Sequence, residues 1–120
     1  IVGARRDPVF GPVVLLGLGG VAAEALADVA VRLAPLDPEE AARMPDELAG
    51  RNLLDGWRGL PRLDRGELAS VLVLLGDLVV AAPWLSEVEI NPLRLTPQGL
   101  VALDAVITTA DGDGHAAADR

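Results

Sequence analysis

The chain has no cysteine, and its ten basic residues are all arginine, with no lysine among its 120 residues. Without cysteine there are no disulfides, thiolate metal sites or cysteine nucleophiles. Without lysine there is no ammonium to grip a phosphate as a point charge. The one histidine, His115, lies in an Asp-, Gly- and Ala-rich end and no serine sits in an elbow motif, so serine- and cysteine-type catalysis are excluded. Aromatic residues are scarce (two Trp, one Phe, no Tyr), which leaves Ala, Val and Leu to fill the interior. Long hydrophobic runs are also missing. The longest apolar stretch, Leu68 to Leu85, is broken by Ser70, Gly76, Asp77 and Pro83, whereas a membrane span needs about 20 mostly apolar residues. No basic region precedes an apolar one at the start, so no signal peptide is expected and the expected location is cytoplasmic. A net charge of −8 argues against a general nucleic-acid binder, which needs a basic face. The first residue, Ile1, opens strand-like sequence, so the chain reads as a fragment of a larger protein.

What is present reads as α+β. Hydrophobic residues make up 51% of the chain, enough for one core. Ile1 to Ala4 reads as the end of a strand and Arg5 to Pro8 as a turn. Val13 to Leu16 is a continuous apolar run with β-branched residues, the pattern of a buried strand. Gly17-Leu18-Gly19-Gly20 is either a loop whose amides face a phosphate or a tight turn between strands. Val21 to Ala27 is helical by propensity, while Val29 to Leu33 alternates as a strand. Glu24 is either a site carboxylate or a solvated side chain. Asp37-Pro38-Glu39-Glu40 predicts a helix start with Asp as N-cap, Pro at the first position and Glu completing a capping box. Pro45 should kink or shorten that helix.

Arg51 to Pro61 reads as a connection. In it, Arg58 either donates to an anion or packs on the surface beside Trp57. Asp64 to Glu67 predicts a second capped start. The helix after it runs to about Ala82 and ends at Pro83. Leu68, Val71, Leu72, Leu75, Leu78 and Val79 form one apolar stripe; Val73, Leu74 and Val80 extend it, predicting burial over most of the circumference. Strands and helices segregate, which points to a mainly antiparallel sheet with two helices packed on it. The composition shifts after Ile107, so residues 1–107 are expected to form the domain and 108–120 a disordered tail.

The densest chemistry lies in Glu87-Val88-Glu89-Ile90-Asn91-Pro92-Leu93. Alternation puts Glu87, Glu89 and Asn91 on one face and Val88 and Ile90 on the other. Pro92 lacks an N–H and should stop the ladder. Gly99 turns the chain, and Leu100 to Ala105 reads as a return strand interrupted by Asp104. With Asn91 opposite Asp104, the two would offer oxygen ligands to one small hard cation such as Mg²⁺, which takes few protein groups and keeps waters. The alternative is a solvated edge-strand face with a turn-stabilising Asp104. Spacing leaves both readings open.

Several motifs in order extend the reading. Asp7-Pro8-Val9-Phe10-Gly11-Pro12-Val13-Val14, Gly17-Leu18-Gly19-Gly20 with Glu24, and Asp28 through Arg32 to Leu36 are followed by Leu53-Leu54-Asp55-Gly56-Trp57-Arg58-Gly59. Glu87 to Leu93 and Ala102-Leu103-Asp104-Ala105 complete the set. Together they resemble the C-terminal part of the ATP-grasp domain of ADP-forming acyl-CoA synthetases, relatives of the succinyl-CoA synthetase β subunit. The resemblance covers almost the whole chain except the tail and reads residues 21 to 33 as strands.

It implies an ATP-grasp subdomain in an enzyme that converts acyl-CoA, ADP and phosphate to acid, ATP and CoA, through an acyl phosphate and a phosphohistidine. It implies that Asn91 and Asp104 hold Mg²⁺ and that Glu89 meets the phosphohistidine. Gly19, Gly20 and Arg58 are carried as residues contacting ATP or ADP. The expected partners are the preceding half of the ATP-grasp domain and the CoA-binding and phosphohistidine domains, with neither nucleic acid nor membrane. The lysines that hold nucleotide phosphates in the family belong to that preceding half, and Val106 stands where the succinyl enzyme has a Lys. The isolated chain is therefore expected to be inactive. An alternative from another class is a catalytically silent regulatory module of a multidomain protein acetyltransferase; a plain structural domain is a third.

Overall fold

The computed structural model describes residues 1–18 and 28–110. Gly19, Gly20, Glu24 and the helix-or-strand choice over Val21 to Ala27 lie outside them, as do residues 111–120 of the expected tail. The described elements run β1 (Val2–Asp7), β2 (Gly11–Gly17), β3 (Val29–Leu33), α1 (Pro38–Arg43), α2 (Arg65–Ala81), β4 (Leu85–Ile90), β5 (Leu93–Thr96), β6 (Gly99–Ala102) and β7 (Ala105–Thr109). Five strands form an antiparallel sheet in the order β3-β2-β1-β4-β7, and β5 and β6 make a separate two-stranded ribbon. Both helices lie on one face of the sheet, α2 against β1, β2 and β4, and α1 against α2. The α+β arrangement expected from segregated strands and helices is the one observed.

Several local expectations need correcting. Arg5 and Arg6 are in β1, and the turn is Pro8 to Phe10. Asp7 builds that turn by accepting the N–H groups of Val9 at 2.8 Å and Phe10 at 3.0 Å, as Asp does when its side chain mimics a backbone turn. β7 extends to Thr109, two residues past the composition shift, because Thr108 and Thr109 are β-branched and pair with Glu87 and Leu85.

The helix starts behave as capped starts, with a difference. Asp37 accepts from the Glu39 N–H at 2.7 Å, and Asp64 accepts from Gly66 and Glu67. Neither Glu closes a capping box. Glu40 pairs with Arg32 and Arg43, and Glu67 reaches β6. Pro45 acts as anticipated: α1 stops at Arg43 and a 3-10 turn, Met44–Glu47, follows.

The core is aliphatic, with Val2, Ala4, Val14, Leu16, Met44, Leu48, Leu72, Val79, Leu85 and Val88 buried. α2 is less enclosed than its apolar circumference suggests. Leu68, Leu72, Leu75 and Val79 face the sheet, while Leu74 is 66% exposed and Leu78 and Val80 also meet solvent. One helix layer on one sheet face offers a single contact stripe, so extra apolar residues cannot all be covered. Gly76 sits where α2 approaches β2 most closely, since a Cβ there would stand 2.9 Å from the Val14 Cγ2.

Arg6 fixes the far end of α2. Its Nη2 donates to the carbonyls of Val79 (2.6 Å), Ala82 (3.1 Å) and Leu85 (3.3 Å). These groups span the helix C-terminus and the start of β4, where a cation also meets the negative end of the helix dipole.

Candidate functional site

The face of the sheet away from the helices is open. Its composition follows from strand register. Gly3 pairs with Glu89, and Arg5 with Glu87. On the other side of β4, Glu89 pairs with Val106 and Glu87 with Thr108. A bulge at Ser86 sets this phase, since the register shifts between Leu85 and Glu87. The Ser86 hydroxyl donates to the carbonyls of Thr108 (2.9 Å) and Thr109 (3.2 Å) across the bulge. The extra residue lets Leu85 and Val88 both enter the core while Glu87 and Glu89 stay on the open face. On the same face, β3 presents Val29, Val31 and Leu33, all exposed. An apolar flank on β3 therefore lies beside a charged lane of Arg5, Glu87 and Glu89.

Asn91 and Asp104 stand opposite one another. Ile90 pairs with Ala105 at the end of the main sheet, and Leu93 pairs with Ala102 in the ribbon. Between these pairs the Asn91 N–H donates to the Asp104 carbonyl at 3.0 Å and the Leu103 N–H to the Pro92 carbonyl at 3.0 Å. The pairing of Asn91 with Asp104, assumed from the sequence, is the one observed. The return strand is not continuous: it divides at Leu103-Asp104 into β6 and β7. Pro92 has no N–H to offer, which interrupts the ladder without changing its register.

Both side chains are exposed, and neither takes part in a side-chain hydrogen bond or ion pair among the described residues. A carboxylate and an amide oxygen on directly opposed residues suit a hard cation that completes its shell with water and substrate oxygens. Among the described residues no three His, Cys, Asp or Glu side chains gather closely enough to cage a metal. A cation at this hairpin would therefore rest on Asn91 and Asp104.

Arg58 belongs to a different segment. The stretch after α1 folds as 3-10 turns, Arg51–Leu54 and Trp57–Gly59, with Leu54 at the Gly17 end of the sheet. There Leu48, Leu54 and Leu63 line a cavity of about 100 Å³ together with Leu16, Leu18 and Leu93. The Arg58 guanidinium lies 4.6 Å from the Trp57 ring centroid, a cation–π contact. Its backbone is left-handed (φ 50°, ψ 39°), between Gly56 and Gly59 at φ 79°. A left-handed backbone is uncommon for a residue that carries a Cβ. No hydrogen bond or ion pair links Arg58 to Glu89, Asn91 or Asp104 among the described residues.

Two neighbours of the Asn91–Asp104 hairpin, Gly3 and Glu67, carry no signal of that proximity in the local sequence. Gly3 leaves the place beside Glu89 free of a side chain, and a Cβ there would stand 3.0 Å from the Val88 carbonyl oxygen. Strand pairing between β1 and β4 is a signal that alternation within β4 does not carry. Glu67 accepts the Leu100 N–H at 3.1 and 3.2 Å on its two oxygens, across 33 residues of sequence.

The described residues thus form an antiparallel sheet backed by helices, with Asn91 and Asp104 opposed at the root of a hairpin. The chain belongs to the ATP-grasp domain family, whose family model matches residues 1–109. It is 40% identical over 105 residues to the β subunit of acetate–CoA ligase (ADP-forming) I of Pyrococcus furiosus, covering 88% of this chain and 45% of that subunit. It is 35% identical over 99 residues to 4-hydroxybutyrate–CoA ligase (ADP-forming) of Nitrosopumilus maritimus, covering 82% of this chain and 14% of that enzyme.

Among solved structures it resembles the Candidatus Korarchaeum cryptofilum acetyl-coenzyme A synthetase 1, described as dinucleotide-forming. The TM-score is 0.82 with 38% identity, over 88% of this chain and 50% of that one. That structure holds coenzyme A and Mg-AMPPCP, with its phosphohistidine segment pointing towards the nucleotide-binding site. The chain spans about half the length of the P. furiosus subunit and the K. cryptofilum chain. No described helix is long and apolar enough to cross a membrane.

Proposed function

We propose that this chain is the Mg²⁺-phosphate half of the ATP-grasp module of an ADP-forming acyl-CoA synthetase. The observation that carries the reading is the opposed Asn91–Asp104 pair, with Glu89 on the open face of the adjoining strand, in a chain of this family. Asn91 and Asp104 hold the cation, and Glu89 faces the incoming phosphohistidine of another domain. When bound, Mg²⁺ supplies neutralisation of phosphate charge, and phosphoryl transfer otherwise depends mainly on positioning.

The chain's own residues do the positioning. β4 presents Glu89 from a rigid central strand, with Gly3 leaving its flank clear. Arg5 stands in register with Glu87, and Gly3 with Glu89, so one carboxylate of the lane faces a cationic residue across the ladder and the other does not. Arg58 donates to a phosphate or carboxylate from the loop at the Gly17 end. Gly19 and Gly20 contribute backbone amides to the nucleotide. The preceding half of the ATP-grasp domain completes the nucleotide site. The phosphohistidine and CoA-binding domains belong to the same chain or a partner subunit.

The test is ADP- and phosphate-dependent cleavage of acyl-CoA by the full-length parent, with Asp104→Ala as control. The reading expects turnover in the wild type and loss in the variant. A wild-type parent without turnover on any acyl-CoA would overturn it in favour of a regulatory module.

A further inference from the structure

We infer that Glu67 is a positioning residue for the Asn91–Asp104 pair, acting by pinning the β5–β6 ribbon; this rests on the cation reading given above. The pair lies at the root of a ribbon that is separate from the main sheet. A two-stranded ribbon has little stability of its own in water, so its attachments decide where its root sits. One attachment is apolar: Leu93, Leu95 and Leu100 pack against the core. That contact is non-directional and tolerates sliding.

The other attachment is directional. Both Glu67 oxygens accept the single Leu100 N–H, at 3.1 and 3.2 Å. The fit around them is close. Gly99 has φ 118°, and a Cβ at that position would stand 2.9 Å from the Glu67 Oε2 and 3.1 Å from its Oε1. Glu67 occupies the first turn of α2, whose cap at Asp64 is formed and whose stripe is buried in the core. It therefore ties the ribbon to a helix with six buried residues.

From Leu100 the ladder runs back in one register, Leu95 to Leu100 and Leu93 to Ala102, to Pro92–Leu103 and Asn91–Asp104. A shift of the ribbon on α2 moves one or both cation ligands. Small displacements of oxygen ligands matter most to Mg²⁺, which requires near-ideal geometry.

The experiment titrates Mn²⁺, as a paramagnetic stand-in for Mg²⁺, into the full-length parent by electron paramagnetic resonance. The Leu100 amide is followed by hydrogen exchange and folding by thermal melting. Glu67→Ala is expected to raise the Mn²⁺ dissociation constant about tenfold, the cost of losing a group that supports a metal site, and to speed exchange at Leu100. Glu67→Gln keeps an acceptor oxygen and restores most of the affinity. Gly99→Ala crowds the same carboxylate and weakens Mn²⁺ in an otherwise wild-type chain, so the test stands if Glu67→Ala fails to fold.

Mn²⁺ affinity unchanged in both Glu67→Ala and Gly99→Ala, while Asp104→Ala loses it, overturns the role of Glu67 alone. Wild-type affinity in Asp104→Ala overturns the cation reading and this inference with it.

Discussion

The Asn91 N–H donates to the Asp104 carbonyl at 3.0 Å, which makes the two residues cross-strand partners between two ladders that share one register. Both residues lie beyond the last pair of the main sheet, Asn91 two positions along the chain from Glu89, and their side chains make no hydrogen bond or ion pair among the described residues. Glu89 itself is flanked by Gly3 on one strand and Val106 on the other.

That flank yields a first prediction. Gly3→Val adds a branched side chain against the Val88 carbonyl, where even a Cβ would be 3.0 Å away. The expected cost is about 1–3 kcal/mol of stability, as for other overpacked sites, with a larger loss in phosphoryl exchange than Gly76→Val causes at equal destabilisation. Denaturant melts and exchange rates of the full-length parent measure both. Equal losses in the two variants would remove any special role for the space beside Glu89.

Arg6 holds three carbonyls at the end of α2 and the start of β4. Arg6→Ala leaves those acceptors without their charged donor, a loss of about 2 kcal/mol on the scale of hydrogen bonds to charged groups. A chemical-denaturation midpoint that moves down with unchanged slope would match this expectation. No movement would mean that solvent satisfies the carbonyls equally well.

The left-handed Arg58 predicts a trade between stability and function. Arg58→Gly removes a Cβ from a conformation that disfavours it by about 1–2 kcal/mol, adds about 0.5–1 kcal/mol of chain entropy to the unfolded state and loses the Trp57 contact worth about 0.5 kcal/mol, for a net gain of up to about 0.5 kcal/mol. The same variant loses the guanidinium, so KM for ADP should rise. Stabilisation with unchanged KM would leave Arg58 a surface residue stacked on Trp57.

The Asp7 turn predicts an acid-sensitive element. Hydrogen bonds from the Phe10 and Val9 amides hold the Asp7 carboxyl below its ordinary pKa. The folded state therefore binds the proton less readily than the unfolded chain. Stability from this turn is fully present above the ordinary aspartate value and is lost as pH falls through the lowered one. In Asp7→Asn that portion of the acid dependence should vanish, as followed by melting temperature between neutral pH and the acid range. A profile identical to wild type would show that the turn does not depend on the ionised carboxylate.

How much of this was legible in the sequence differs by residue. Asp37 and Asp64 announced their helix starts because capping is local chemistry. Alternation, Pro92 and Gly99 say only that Asp104 can sit across from Asn91; the register itself is an assumption in the sequence, fixed by the hydrogen bond from the Asn91 N–H to the Asp104 carbonyl. Glu67 carries a capping-box signal in sequence, and its actual partner, Leu100, is close only in space. Arg6 was placed in a turn for the same reason, since its three carbonyl partners lie more than 70 residues away. The exposed Leu74, Leu78 and Val80 were assigned to the interior because periodicity reports which faces of a helix are apolar and not which are covered.

The most direct test measures ADP- and phosphate-dependent CoA release by the full-length parent across Mg²⁺ concentrations, for wild type and Asp104→Asn. The account predicts that the variant needs at least about tenfold more Mg²⁺ for half-maximal rate, with its melting temperature unchanged. An active variant whose Mg²⁺ dependence overlays that of the wild type would contradict it.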